Sequence, residues 1–140
     1  MLYSNGGGSA VNVNTLEFKP DLIWVKSRNA NANHGLYDSV RGDNKRIVSD
    51  LTNTESTVVG PVPSDSGFSI AGSSYYNPSG SAGSATFVAW CWKAGGAPTT
   101  TNSASVGSVP TAGSVKIDGV DATAPLAGTR YPDKMSVNTK

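Results

Sequence analysis

Reactive side chains are scarce in this sequence: one cysteine, Cys91; one histidine, His34; and two glutamates, Glu17 and Glu55. A lone cysteine excludes an intrachain disulfide, so packing has to hold the fold. One cysteine and one histidine also fall short of the ligand set of a structural zinc site. Charge is scarce too. Only 15% of the 140 residues are charged, against roughly 25% in an average globular chain. Lys+Arg 11 and Asp+Glu 10 leave a net charge of +1, which argues against a broad basic surface for nucleic acid. No run approaches the ~18 consecutive apolar residues of a membrane-spanning helix. The opening Met1-Leu2-Tyr3-Ser4-Asn5-Gly6 has neither the basic start nor the apolar stretch of a signal peptide. These absences predict a protein made in a reducing cytoplasm, with no nucleic-acid or membrane partner.

Bulk is missing from the last third. Ten of the eleven aromatic residues lie between Tyr3 and Trp92. From residue 95 to residue 114 the chain reads GGAPTTTNSASVGSVPTAGS, too poor in large side chains to offset the entropy of ordering. The expected organisation is a compact module at 1–94, followed at 95–140 by a Gly/Ser/Thr/Pro-rich connector or extended arm. Val115, Ile117 and Val120 supply one short strand there.

What is present in residues 1–94 is a series of short apolar runs separated by turn residues, the pattern of an all-β domain. Val11 and Val13 alternate with asparagines as a half-buried strand. Leu22-Ile23-Trp24-Val25 is apolar on both faces, as a strand covered on two sides would be. Phe68 and Ile70 alternate with small residues after the turn Ser64-Asp65-Ser66-Gly67. In Thr86–Trp92, strand alternation sends Phe87, Ala89 and Cys91 to one face and Val88, Trp90 and Trp92 to the other. The expected core comprises Trp24, Phe68, Phe87, Trp90, Cys91 and Trp92. The expected fold is a β-sandwich or jelly roll of the concanavalin-like kind, with an open barrel as the competing arrangement.

Four of these blocks resemble, in order and spacing, a module of tail-fibre-like and other virion structural proteins of phages, notably marine and cyanobacterial ones. They are FKPDLIWVKSR at 18–28, HGLYDSVRG at 34–42, SDSGFSIAG at 64–72 and FVAWCWKAGG at 87–96. PTAGSVKIDG at 110–119 and SVNTK at 136–140 are similar to the connector that leads into a further module in such proteins. The resemblance implies a virion component at a tail or capsid surface, with no enzymatic activity and no cofactor. Its implied partners are other virion proteins and copies of itself, joined as a homo-oligomer through the C-terminal arm.

Candidate chemistry is thin. Cys91 beside His34 would make a nucleophile and base, but a mid-strand cysteine flanked by tryptophans reads as core filler whose burial raises the thiol pKa. Glu17 and Glu55 are the only glutamates for glycosidase chemistry, and the aspartates stand beside turn or basic residues, where capping and surface pairing are the ordinary roles. Asp118-Gly119-Val120-Asp121 lacks the further ligands of a calcium loop and reads as an Asp-Gly turn. Arg41-Gly42-Asp43 is simplest as a turn between strands. The best ligand candidate is a glycan on Tyr75, Tyr76 and Asn77, where aromatic faces stand beside an amide. It would make the chain a receptor-recognition module at a fibre tip. No catalytic or metal-ligating set is expected.

Overall fold

The computed structural model describes residues 1–127 and 132–140, and every regular element among them is a β-strand. The chain divides into two compact units, Met1–Trp92 and Lys93–Lys140.

The first unit holds nine strands: β1 (Leu2–Ser4), β2 (Val11–Val13), β3 (Leu22–Ser27), β4 (Gly35–Asp38), β5 (Lys45–Val48), β6 (Ser56–Thr57), β7 (Pro61–Ser64), β8 (Gly67–Ile70) and β9 (Thr86–Trp92). They form two antiparallel sheets, one of six strands in the order β1-β9-β3-β4-β5-β6 and one of three in the order β2-β8-β7. β7 carries Pro61 and Pro63 and lies at a sheet edge, where a residue without an N–H does no harm. The β7–β8 turn needs Gly67, because its φ is 152° and a Cβ there would run into the carbonyl of Val13.

Strand alternation decides which side chains meet. Tyr3, Ile23, Val25, Tyr37, Phe87 and Ala89 point inward from the large sheet. They form one buried cluster with Val13, Phe68 and Ile70 of the small sheet, the arrangement of a β-sandwich core. Tyr76 enters the same cluster from a loop. Tyr3 stacks on Phe87 at 5.0 Å and meets Phe68 edge-on at 5.8 Å.

Phe68 and Phe87 are core residues as expected, whereas the tryptophans are not. Trp24 is half-buried, Trp90 is 42% exposed and Trp92 46% exposed, and Cys91 is half-buried at the margin of the cluster. The reason lies in the register. Trp24 pairs with Trp90 and Leu22 with Trp92, which puts all four on the face turned away from the small sheet. Tyrosines fill the volume that the tryptophans leave.

The second unit is a three-stranded sheet, where one short strand was expected. It contains β10 (Val115–Ile117), β11 (Val120–Asp121) and β12 (Met135–Val137), in the order β11-β10-β12 with β10 and β12 parallel. Asp118 and Gly119 join β10 to β11 with φ of 50° and 90°, the two positive values a type I′ hairpin requires. Residues 95–114 are not an extended strap. Thr99 N–H donates to Gly113 O at 2.8 Å, and Asn102 Oδ1 accepts from Ala104 N–H at 3.1 Å and Thr111 N–H at 3.0 Å. Side-chain-to-backbone bonds supply the order that bulky side chains do not.

Two expectations follow. Replacing Phe87 by Ala should cost about 3–5 kcal/mol, while Trp90→Ala and Trp92→Ala should each cost less than about 1.5 kcal/mol. Urea unfolding of the three variants checks the face assignment, and equal losses would refute it. Burial, with smaller contributions from the neighbouring tyrosines, pushes the hydroxyl pKa values of Tyr3 and Tyr37 upward, and burial lifts that of Tyr76 to about 12. A raised folded-state pKa contributes stability that is complete below the ordinary tyrosine value of 10.0 and is lost as pH climbs through the folded value. Tyrosinate absorbance from these rings should therefore appear together with loss of the β circular-dichroism signal; tyrosinate formed by the intact fold would contradict it.

Candidate functional site

The stretch Tyr75-Tyr76-Asn77 proves to be mostly internal. Tyr76 and Asn77 are both 0% exposed. Tyr76 donates its hydroxyl to Asn33 O at 3.2 Å, and its own carbonyl accepts from the Tyr3 hydroxyl at 3.0 Å. Asn77 Nδ2 donates to Ser9 O at 2.8 Å and Ala71 O at 3.1 Å, and its Oδ1 accepts from Gly6 N–H at 2.8 Å. The amide is spent on tying the 71–84 loop to the 5–9 loop, so neither residue can meet a glycan. Asn5 works in parallel, donating to Pro78 O and Ser81 O while accepting from Ala85 N–H.

Tyr75 is 44% exposed, yet its ring is engaged. The Arg46 guanidinium lies 5.0 Å from the ring centroid, Tyr76 meets the ring edge-on at 4.9 Å, and the hydroxyl accepts from Asn33 N–H at 3.3 Å. Arg46 Nε and Nη1 are buried without hydrogen-bond partners among the described residues. The π-face of Tyr75 offsets part of that cost.

The remaining reactive groups are separated. Cys91 points to the inner side of β9, its thiol pushed up by burial and its sulfur 3.7 Å from Met1 Sδ. His34 belongs to the outer side of the same sheet, where its Nδ1 accepts from Trp24 Nε1 at 3.2 Å. The sheet itself stands between the would-be nucleophile and base. Asp38 and Glu55 are both drawn to Arg41, at 2.6 and 3.4 Å. Arg41 also donates to Leu36 O at 3.0 Å, so the Arg-Gly-Asp tripeptide has its arginine tied into the sheet. Asp118 is bound by the backbone and hydroxyl of Thr139, and Asp121 pairs with Lys116; hydrogen bonding holds both carboxyls below the usual range. No group of three or more His, Cys, Asp or Glu among the described residues could hold a metal ion.

The structure instead brings together a set the sequence reading dispersed. On the outer face of the six-stranded sheet, Trp24 and Trp90 have ring centroids 5.1 Å apart and planes tilted by 42°. His34 packs against Trp24 at 5.7 Å. Trp92 follows Trp90 on the same face of β9, Lys26 follows Trp24 along β3 opposite Val88, and Arg28 stands just past the end of β3 with its N–H bonded to Thr86 O. Beside it, a cavity of about 290 Å³ is lined by Met1, Leu16, Ala89, Trp90, Cys91 and Trp92. The signal was in the alternation, since Trp90 and Trp92 share a parity opposite to Phe87 and Ala89.

A family model described as a domain of unknown function (DUF7483) matches residues 1–121. No curated protein and no solved structure matches the chain.

Asn77→Ala removes a side chain that makes at least three hydrogen bonds inside the protein. It should cost about 2–4 kcal/mol, with the 71–84 loop losing amide-exchange protection first. Unchanged protection in that loop would show that the amide is not the tie.

Proposed function

The chain belongs to the DUF7483 family, a domain of unknown function, and on that premise we propose that it is a non-enzymatic structural module of a virion, tail-fibre-like or on the capsid surface. In this reading its sandwich is a concanavalin-like jelly roll, and its C-terminal unit joins it to copies of itself and to other virion proteins. Three considerations support the reading. Four sequence blocks resemble phage structural modules. Asp38, Glu55, Asp118 and Asp121 are engaged in ion pairs or hydrogen bonds, and the histidine and the cysteine lie on opposite sides of the sheet. The observation that carries the assembly role is the pair of open sheet edges in the C-terminal unit, which also exposes Val106, Val109 and Val120, the last at 67%.

Among the described residues, the three-stranded sheet of that unit ends in β11 and β12 with no further strand beside either. Such edges accept strands from neighbouring chains. Recognition of a host-surface glycan at a fibre tip, the alternative, loses Tyr76 and Asn77 as contacts and needs another surface.

The full chain should sediment as a homo-oligomer, and the triple change Val106→Asp, Val109→Asp, Val120→Asp should shift it to monomer while the first unit keeps its circular-dichroism signal. An antibody to the chain should decorate purified virus particles in electron micrographs. A wild-type monomer at all concentrations would remove the assembly role, and bare particles would remove the virion role.

A further inference from the structure

We infer that the outer face of the six-stranded sheet binds an acidic saccharide, with Trp90 and Trp24 as the stacking platform and Lys26 and Arg28 as the carboxylate-binding end. The inference goes beyond the structural role and does not rest on it.

The platform comes first. Trp90 exposes 42% and Trp92 46% of their surfaces in a fold whose core has room for three tyrosines. The face of an indole presents the negative end of the ring quadrupole to the C–H groups of a sugar ring. Trp24 is held in place from two sides, by the tilted contact with Trp90 and by donation of its Nε1–H to His34 Nδ1. That bond places the imidazole proton on Nε2. The indole N–H groups of Trp90 and Trp92 have no partner among the described residues, so they are donors for ligand hydroxyls.

Charge then selects the ligand. Continuing along the same face of β3, Lys26 stands roughly 6.6 Å from Trp24 by strand rise, and the exposed Arg28 follows one residue past the end of the strand, its N–H bonded to Thr86 O. Neither has an ion-pair partner among the described residues; the salt bridges there belong to Arg41 and Lys116. The acid that shares this face, Asp38, is taken by Arg41. The face is therefore apolar and aromatic at one end and cationic at the other. A second copy paired through the same face is the poorer fit, because an isologous pairing brings only the same groups and the acid on that face, Asp38, is already taken by Arg41, leaving no carboxylate for Lys26 and Arg28. A chain of uronic acids meets both requirements: ring faces for the tryptophans, and a carboxylate on each ring for Lys26 and Arg28.

The test titrates the full chain with oligogalacturonate, following tryptophan fluorescence and heat. Quenching with saturable binding is expected, weakening as salt screens the cations. The neutral methyl ester of the same oligosaccharide should bind at least about tenfold more weakly, a difference of about 1.4 kcal/mol. Trp90→Ala and Lys26→Gln should each weaken oligogalacturonate binding by a similar factor while keeping the native circular-dichroism signal at the assay temperature, and Tyr75→Ala should leave it intact. Absence of binding, equal binding of the methyl ester, or full affinity in Trp90→Ala would each overturn the inference. So would a wild-type dimer that Trp90→Ala dissociates, which would give the face to a second copy.

Discussion

The antiparallel pairing of β3 with β9 is the constraint on which the first unit depends. Six consecutive residue pairs, from Leu22 with Trp92 to Ser27 with Phe87, join the two most apolar segments of the chain. Once that register is set, strand pleating leaves no freedom in what faces where. Ile23, Val25, Phe87 and Ala89 must form one face and Trp24, Trp90 and Trp92 the other. β1 extends the sheet on the β9 side, and β4, β5 and β6 on the β3 side. A slip of β9 by one residue would turn its two indoles against the small sheet and expose the phenylalanine.

Where the sheets end, buried amides take over. Asn5 and Asn77 each bond backbone groups of two different segments, which lets long irregular loops close the sandwich without leaving carbonyls unpaired. This accounts for a loop-rich composition in a unit that is nonetheless compact. It also accounts for the failure of Tyr75-Tyr76-Asn77 as a ligand cluster: the residue types that suit sugar rings are the same ones that suit a polar loop packed on an aromatic core.

The sequence was most legible where a segment was both apolar and bounded by turns. β9 was expected over the residues it occupies, β2, β3 and β8 within a residue or two, and the Asp-Gly turn between β10 and β11 at its position. β1, β5, β6 and β7 were not foreseen, because segments such as Ser56–Thr57 or Pro61–Ser64 owe their conformation to a neighbour in the sheet rather than to their own pattern. The tryptophans misled for a different reason. Large aromatics are usually buried, and that rule outweighed the alternation that assigned Trp90 and Trp92 to the opposite face from Phe87. The second unit was misjudged because its order comes from Asn102, Thr111 and Ser114 bonding backbone, which leaves no hydrophobic trace in the sequence.

The same β3–β9 pairing has a consequence in time. β9, which lies between β1 and β3 in the large sheet, is the last strand of its unit to be synthesised, while both of those neighbours lie near the chain's beginning. Contacts so distant in sequence are slow to form, because loop closure must precede any gain from pairing. On the ribosome, β3 can pair with β4, β5 and β6 as they emerge, whereas β1 has no strand to join until β9 follows. Completion of the large sheet is therefore a late event, gated by translation of its final seven-residue strand.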